Sequence, residues 1–462
     1  MDKKIRLSDH FTIPRLLYFA LPSIGMQIVD STYQVADGYF ISNYIGETAF
    51  GAENLIYPPL LIVMSVGLVF GTGASALLAR EIGEGHEERA SRLMTFLMLV
   101  LSVLGVLLAV VLYFLMPTIA GWVRATDDMM DYCLAYGRTL AFFMPFQMLS
   151  MAFHALLITA ERPGLGLGVT ISNAAANILL DWLFVAVFRW GMRGAALATG
   201  IAWLISSVIP IIFFLRQKTG LRFVRPLSDA GALGKTVYNG ASEMLDSVAY
   251  AIVAVVFNLR LMDLIGEAGV EAYAVSEYVS GFFNAVFYGI SMTIVPVVGF
   301  HLGKGNSREL RGLWHKGMLL MAVLGAAIVL ICQLFAEPIV RFFVGYNPDL
   351  TALSVHALRL VILSFLFYGM TVYAGSYFTG LNQGTASLLI ATVKGVAGPL
   401  LLVWLLPLLF RQEGLWYVNL GAELLAMAVS LGCIYWWWHG GEKKSLAEAA
   451  AGAAEEQSAA RD

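Results

Sequence analysis

The sequence predicts an all-α integral membrane protein whose twelve transmembrane helices form two parallel six-helix repeats, related by a pseudo-twofold axis along the membrane normal. Three observations predict it. The 462-residue chain is 59% hydrophobic and only 13% charged, where a soluble domain of this size is about one-quarter charged. Apolar stretches of about twenty residues or more recur along the whole length, which is the signature of membrane-spanning helices. The third is a repeat: Ile45-Gly46-Glu47 returns as Ile265-Gly266-Glu267, Gly83 as Gly303, Thr159 as Thr379, Gly164 as Gly384 and Gly194 as Gly414, all at an offset of 220 residues. An even number of spans per repeat inserts both halves the same way, an arrangement known among secondary transporters.

Because lipid offers no hydrogen bonds, each span must satisfy its own backbone as a helix or belong to a closed barrel. The stretches are long and continuously apolar, so helices are expected. They fall near 14–41, 52–79, 93–117, 133–160, 164–189 and 194–215 in the first half, and near 237–262, 273–301, 313–336, 351–380, 385–410 and 414–438 in the second. The division that follows is an N-terminal segment (1–13), an N-lobe (14–215), a basic linker (216–236), a C-lobe (237–438) and an Ala/Glu-rich tail (439–462) expected to be disordered. Lys and Arg outside the spans gather on the side of the two termini. Only Arg124, Arg189, Arg193, Arg341 and Arg411 stand opposite, so the positive-inside rule places both termini in the cytoplasm of a cell-membrane protein. The basic start "MDKKIR" precedes a run too long for a cleaved signal peptide.

Cys133, Cys332 and Cys433 are too few and too scattered for a metal knuckle or a disulfide framework. "GTGASA" (71–76) imitates a dinucleotide fingerprint but lies inside a span, and "HEERA" lacks the second histidine of a zinc-binding HExxH. No nucleophile–base or nucleotide-binding pattern is visible, so neither an enzyme nor an ATP-driven pump is expected. The net charge of −3 gives no reason to expect nucleic acid. Nothing in the sequence requires more than a monomer in contact with membrane lipids.

What remains is the set of polar residues inside spans, where an ionised group costs roughly 2.5–3.5 kcal/mol and therefore faces a cavity or a partner. In the first span, Gln27, Asp30, Gln34 and Asp37 follow a 3-4-3 spacing that keeps them on one helical face. Asp30 and Asp37 stand roughly 10 Å apart along the axis. The fifth span adds Asn173, Asn177 and Asp181, each four residues from the next, and the sixth adds Thr199. Asp37, Asn177, Asp181 and Thr199 offer hard oxygens and one amide nitrogen, which suit Na⁺ or a proton rather than a soft transition metal. At the same offset the second half has Phe257, Ala397, Leu401 and Asn419 instead, so the acids of this motif belong to the N-lobe. The second half carries Glu243 and Asp246, read as lying near the cytoplasmic end of the seventh span, and Lys394 with Glu423, read as a structural ion pair. Glu53, Glu277, Arg260 and Arg359 are read as span-end residues that snorkel, and His154 as a packing residue.

Over nearly the whole chain, 14–438, the sequence resembles the multidrug and toxic compound extrusion (MATE) transporters, in their prokaryotic multidrug-efflux branch. The resemblance rests on "FALPSIGMQIVDSTYQVADGYFISNYIG", "GTGASALLAREIGEGHEERA", "NILLDWLFV…GMRGAALATG" and "YFTGLNQGTASLLI". It implies export of amphipathic, often cationic, organic compounds in exchange for Na⁺ or H⁺, with no other cofactor, by alternating access of two lobes. It also implies a cation or proton site at Asp37, Asn177, Asp181 and Thr199. Asp30, Gln27, Gln34, Tyr33, Glu243 and Asp246 become candidates for the substrate path or a second proton site. Asp30 departs from the family pattern, which leads one to expect an uncharged residue there. The alternative is a flippase for lipid-linked oligosaccharides from the wider superfamily. It would need several cavity cations for a pyrophosphate, and the spans hold only Arg138, Arg260, Arg359 and Lys394.

Overall fold

A computed structural model of the chain describes residues 5–345 and 347–441. Among these, every regular element is helical. The N-lobe contains α1 (Ile13–Tyr44), α2 (Glu47–Gly83), α3 (Glu87–Trp122), α4 (Asp127–Thr159), α5 (Pro163–Val187) and α6 (Gly191–Arg216). The C-lobe contains α7 (Ala230–Leu264), α8 (Glu267–Gly303), α9 (Ser307–Val344), α10 (Pro348–Gly380), α11 (384–410) and α12 (Val418–Trp436). Residues 1–4 of the N-terminal segment and the tail from 442 onward lie outside the described residues.

Among the described residues, ten segments are long and apolar enough to cross a membrane. The polar stripe leaves α1 outside that set. The last of the ten, Gly384–Gly441, is two crossings, because the chain reverses at Arg411, which adopts φ 53°. Twelve crossings result. The repeat is visible in the local conformation: Gly46 and Gly266 end the first helix of each half with φ of 129° and 94°, a region open to glycine and strained for other residues.

The lobes meet through helices rich in small residues. α2 packs on α4 within its own lobe and on α7 and α8 across the interface, and α1 packs on α8 as well as α5. Near the ends of α2 and α8, Gly83 lies against the Phe300 carbonyl while Gly303 lies against the Arg80 carbonyl. Gly303 and Phe300 stand 220 residues after Gly83 and Arg80, so the two contacts exchange under the repeat's own symmetry. Small side chains are what permit backbones to approach this closely.

A strap then crosses the same end of the molecule. Leu7 N donates to Glu161 Oε1 of the N-lobe at 2.8 Å. A few residues on, Phe11 N donates to Glu309 Oε1 of the C-lobe at 2.9 Å, and His10 Nδ1 lies 2.5 Å from Glu309 Oε2. Lys316 Nζ donates to the Phe11 carbonyl at 2.6 Å. Leu7 and Phe11 are buried beneath these bonds. Deeper in the interface, Thr293 donates to Ser23 at 2.9 Å and Asn382 to the Ala76 carbonyl at 3.4 Å. Among the described residues, every hydrogen bond between the lobes lies in the half nearer the termini, so this is the end at which the structure is closed.

Candidate functional site

The N-lobe polar residues converge. α1 supplies Asp37, α2 Glu53, α4 Tyr136, α5 Asn173, Asn177 and Asp181, and α6 Thr199. Asp37, Asn173, Asn177, Asp181, Thr199 and Tyr136 are all buried. The Asp37 carboxyl lies within electrostatic reach of those of Asp181 and Glu53 and of the Tyr136 hydroxyl. Tyr136 Oη donates to Glu53 Oε1 at 3.4 Å. Asn177 Nδ2 donates to Thr199 Oγ1 at 3.2 Å, which fixes the amide and leaves its carbonyl oxygen as the free acceptor.

The local sequence explains the aim of the α5 groups. Asp181 is the last α-helical residue, and Trp182–Val187 continue as a π-helical turn. Such turns re-aim side chains and are frequent at functional sites. The α5–α6 connection is locked behind it by Phe184 stacked on Trp190 at 4.8 Å and by Gly194, whose Cα side approaches the Phe184 carbonyl.

Buried oxygens without a hydrogen-bond partner test whether a cation fits here. They are Asp37 Oδ1, Glu53 Oε2, Asn173 Oδ1, Asn177 Oδ1 and both carboxylate oxygens of Asp181. Among the described residues, no ion pair with Lys, Arg or His reaches Asp37, Glu53 or Asp181. Carboxyls gathered in one buried cluster resist ionising together unless a cation lies among them or a proton is shared. The donor set is oxygen only, as Na⁺ requires, and a proton would serve the same electrostatic need.

The other candidates separate. Asp30 is half-buried and acts on Tyr33 and Tyr57, the latter from α2. Tyr33 lies near Trp203 of α6 and within electrostatic reach of both Asp30 and Asp37. Gln34 is exposed and Gln27 half-buried, and among the described residues neither side chain makes a hydrogen bond. They flank the cluster without joining it.

Two expectations about individual residues are corrected. Glu53 does not snorkel; six residues into α2 it turns inward to Tyr136 and Asp37. Glu243 and Asp246 stand about 20–24 Å along α7, a helix some 50 Å long that begins at Ala230. Lys394 does not pair with Glu423. Its Nζ lies 4.0 Å from Asp246 Oδ2 and over the Tyr368 ring at 5.1 Å, while Glu423 accepts a hydrogen bond from Thr371. A π-helical turn at Val393–Ala397 rotates Lys394 toward α7 and away from α12. Tyr136 was not singled out in the sequence at all; an isolated tyrosine in an apolar span carries no spacing signal. His154 packs as expected, within 3.4 Å of Thr170 Oγ1.

The MatE family model matches the chain twice, at residues 22–183 and 243–404. The chain is similar to the multidrug export protein MepA of Staphylococcus haemolyticus (strain JCSC1435), 23% identical over 425 residues, covering 91% of this chain and 92% of that protein. MepA of Staphylococcus saprophyticus is 22% identical over 432 residues, covering 90% and 92%. Among solved structures, a MATE transporter in complex with MaL6 superposes with a TM-score of 0.87 at 17% identity, over 97% of this chain and 99% of that one. The outward-facing conformation of a multidrug-resistance MATE family transporter gives 0.86 at 17% identity over the same shares. At these identities the structural likeness speaks to the fold.

Proposed function

Since the chain belongs to the MatE family, a family of membrane transporters, we propose that it is a secondary antiporter of the plasma membrane that exports amphipathic or cationic organic compounds in exchange for Na⁺ or H⁺. The observation that carries the ion-coupling half of this reading is the buried N-lobe cluster of Asp37, Glu53 and Asp181, each with carboxylate oxygens left without a hydrogen-bond partner and no basic residue paired with them. The MepA relatives are named as multidrug exporters, which supports the substrate class. A lipid-linked oligosaccharide flippase is not favoured, since the carboxylates gathered in the lobes outnumber the cations a pyrophosphate would need.

On this reading each part has a task. With both termini in the cytoplasm, the closed end is the cytoplasmic one and the structure is outward-facing. A cation arriving from outside would enter between Asp37 of α1 and Asp181 of α5, relieve their repulsion and draw the two helices together. Because α1 also packs on α8, that movement reaches the lobe interface. Asn177, held by Thr199, supplies a neutral oxygen that favours the bound cation at little reorganisation. Substrate arriving from the cytoplasm would favour the opposite state, and coupling follows from the different affinities of each ligand for the two states. Asp30, with Tyr33 and Tyr57, would offer a counter-charge and aromatic faces to a cationic substrate.

The test is export of ethidium from proteoliposomes under imposed Na⁺ or pH gradients. The unaltered protein should respond to at least one gradient, and Asp37→Asn and Asp181→Asn should each lose that response. Gradient-driven rates equal to the unaltered protein's in both variants would overturn the assignment.

A further inference from the structure

Two arginines within spans belong to neither the N-lobe cluster nor the closing seam. Arg138 stands on α4 and Arg359 on α10, and the repeat gives them one and the same position. α4 (Asp127–Thr159) and α10 (Pro348–Gly380) are each 33 residues long. Their N-caps, Thr126 and Asn347, differ by 221 residues, as do the two arginines. Packing shows the same register: Gly105 of α3 lies on the Pro145 Cα of α4, and Gly325 of α9 lies on Leu366 of α10. The glycines differ by 220 and their partners by 221, so α10 runs one residue ahead of the offset found elsewhere.

Neither charge is matched within the protein. Arg138 Nε donates to the Tyr113 carbonyl at 3.3 Å, and the guanidinium lies over the Tyr113 ring at 5.2 Å. Pro117, four residues on, has no N–H to offer that carbonyl, so this bond repairs the α3 backbone. It uses one of the five guanidinium N–H groups. Arg359 is held by its backbone instead: its carbonyl accepts from Gln333 Nε2 of α9 at 2.7 Å, and the residue is exposed. Among the described residues neither guanidinium forms an ion pair. Two carboxylates on neighbouring turns are already taken, Glu337 by Arg341 at 2.5 Å and Glu413 by His356 at 2.8 Å.

The surroundings face lipid. Phe114 and Phe142 flank Arg138 and are 72% and 71% exposed, and Leu334, next to Gln333, is 67% exposed. α3 packs on α2 and α4, within its own lobe, so its bare face turns outward. A helix of 33 residues is about 50 Å long, about 20 Å more than the hydrocarbon. A side chain about 16 Å from its start therefore stems from about 6 Å below the hydrocarbon edge, on the side away from the termini. An arginine there extends its head outward, and what it meets is the phosphate layer. An unpaired guanidinium offers phosphate a planar fork of donors.

We propose that Arg138 and Arg359 form two equivalent sites for the phosphodiester of an anionic phospholipid, one on the flank of each lobe, in the leaflet farther from the termini. The phosphate oxygens accept from the free N–H groups of the arginine. An acyl chain then lies along the adjoining apolar groove, between α3 and α4 or between α9 and α10. The proposal does not depend on the transport reading, and its test uses neither substrate nor ion gradient.

The test uses the full chain in phosphatidylcholine bilayers with a trace of photoactivatable phosphatidylglycerol, its diazirine near the glycerol end of an acyl chain, or with the same label on phosphatidylcholine. Adducts are mapped by peptide mass spectrometry. The phosphatidylglycerol label should mark the α3–α4 and α9–α10 peptides about fivefold more than the phosphatidylcholine label, the gain expected for one basic side chain at an anionic lipid. Arg138→Gln should abolish that preference at α3–α4 and leave it at α9–α10, and Arg359→Gln should do the reverse. Arg359→Gln removes no bond within the protein, so it decides even where Arg138→Gln, which also frees the Tyr113 carbonyl, folds poorly. Equal labelling by the two lipids, or a preference that survives the matching substitution, would overturn the proposal. Loss of the adducts on adding inorganic phosphate would overturn it too, by making the site one for a free anion.

Discussion

Gly83 and Gly303 each press against the backbone of the opposite lobe, at positions related by the internal repeat. Neither can accept a side chain while the termini end stays closed. Gly83→Val or Gly303→Val should therefore weaken that closed state. Overpacking costs about 1–3 kcal/mol, roughly a five- to hundredfold shift in population. Spin labels near the ends of α2 and α8 should report a longer separation in either variant. An unchanged distance distribution would contradict the assignment of this contact as the closing seam.

The N-lobe cluster predicts graded effects on ion use. Glu53→Gln removes one of three carboxyls and should raise the half-saturating coupling-cation concentration about tenfold, since an opposite charge this close contributes one or more pKa-equivalent units. Thr199→Ala leaves Asn177 without its anchor and should raise it about fivefold, the size of one ordinary hydrogen bond. Both are read from the cation dependence of dye efflux at fixed dye.

Asp30→Asn should change what is exported rather than what drives export. Loss of a half-buried counter-charge should slow export of permanently cationic dyes about tenfold and leave neutral substrates near their usual rate. The ion dependence should stay as it was. If the pH dependence disappears instead, Asp30 is a proton carrier.

The strap predicts a stability effect at a distance from the N-lobe cluster. Glu309→Ala removes the acceptor for Phe11 N and the partner of His10, and hydrogen bonds to a charged group are worth about 1.5–3 kcal/mol. Trypsin should cut at Arg6 and Arg15 much faster in this variant, and its unfolding midpoint should fall. Equal cleavage rates would show that the segment is held by other contacts.

Much of this architecture can be read from the chain because lipid leaves so few choices. Long apolar runs must be helices, the 220-residue echo fixes the repeat, and the four-residue steps of Asn173, Asn177 and Asp181 put them on one face before any coordinates are known. What the spacing could not convey is direction across helices. Glu53 and Tyr136 enter the cluster only because α2 and α4 happen to turn those faces toward α1. Lys394 was paired with the wrong acid for a related reason: a π-helical turn carries an extra residue, so a constant 100° step places the side chain on the wrong side. Helices of this length extend beyond the hydrocarbon, and hydropathy marks only the submerged part.

The N-terminal strap also sets an order of manufacture. Its anchors, Glu161 and Glu309, are far apart in the chain, so the strap cannot finish docking until α9 has been made. Leu7 can meet Glu161 once α4 is complete, but His10 and Phe11 must wait for Glu309 while eight helices insert ahead of it. The N-lobe can assemble early, but the seal between the lobes is set late, when a segment made before α1 meets one of the later helices.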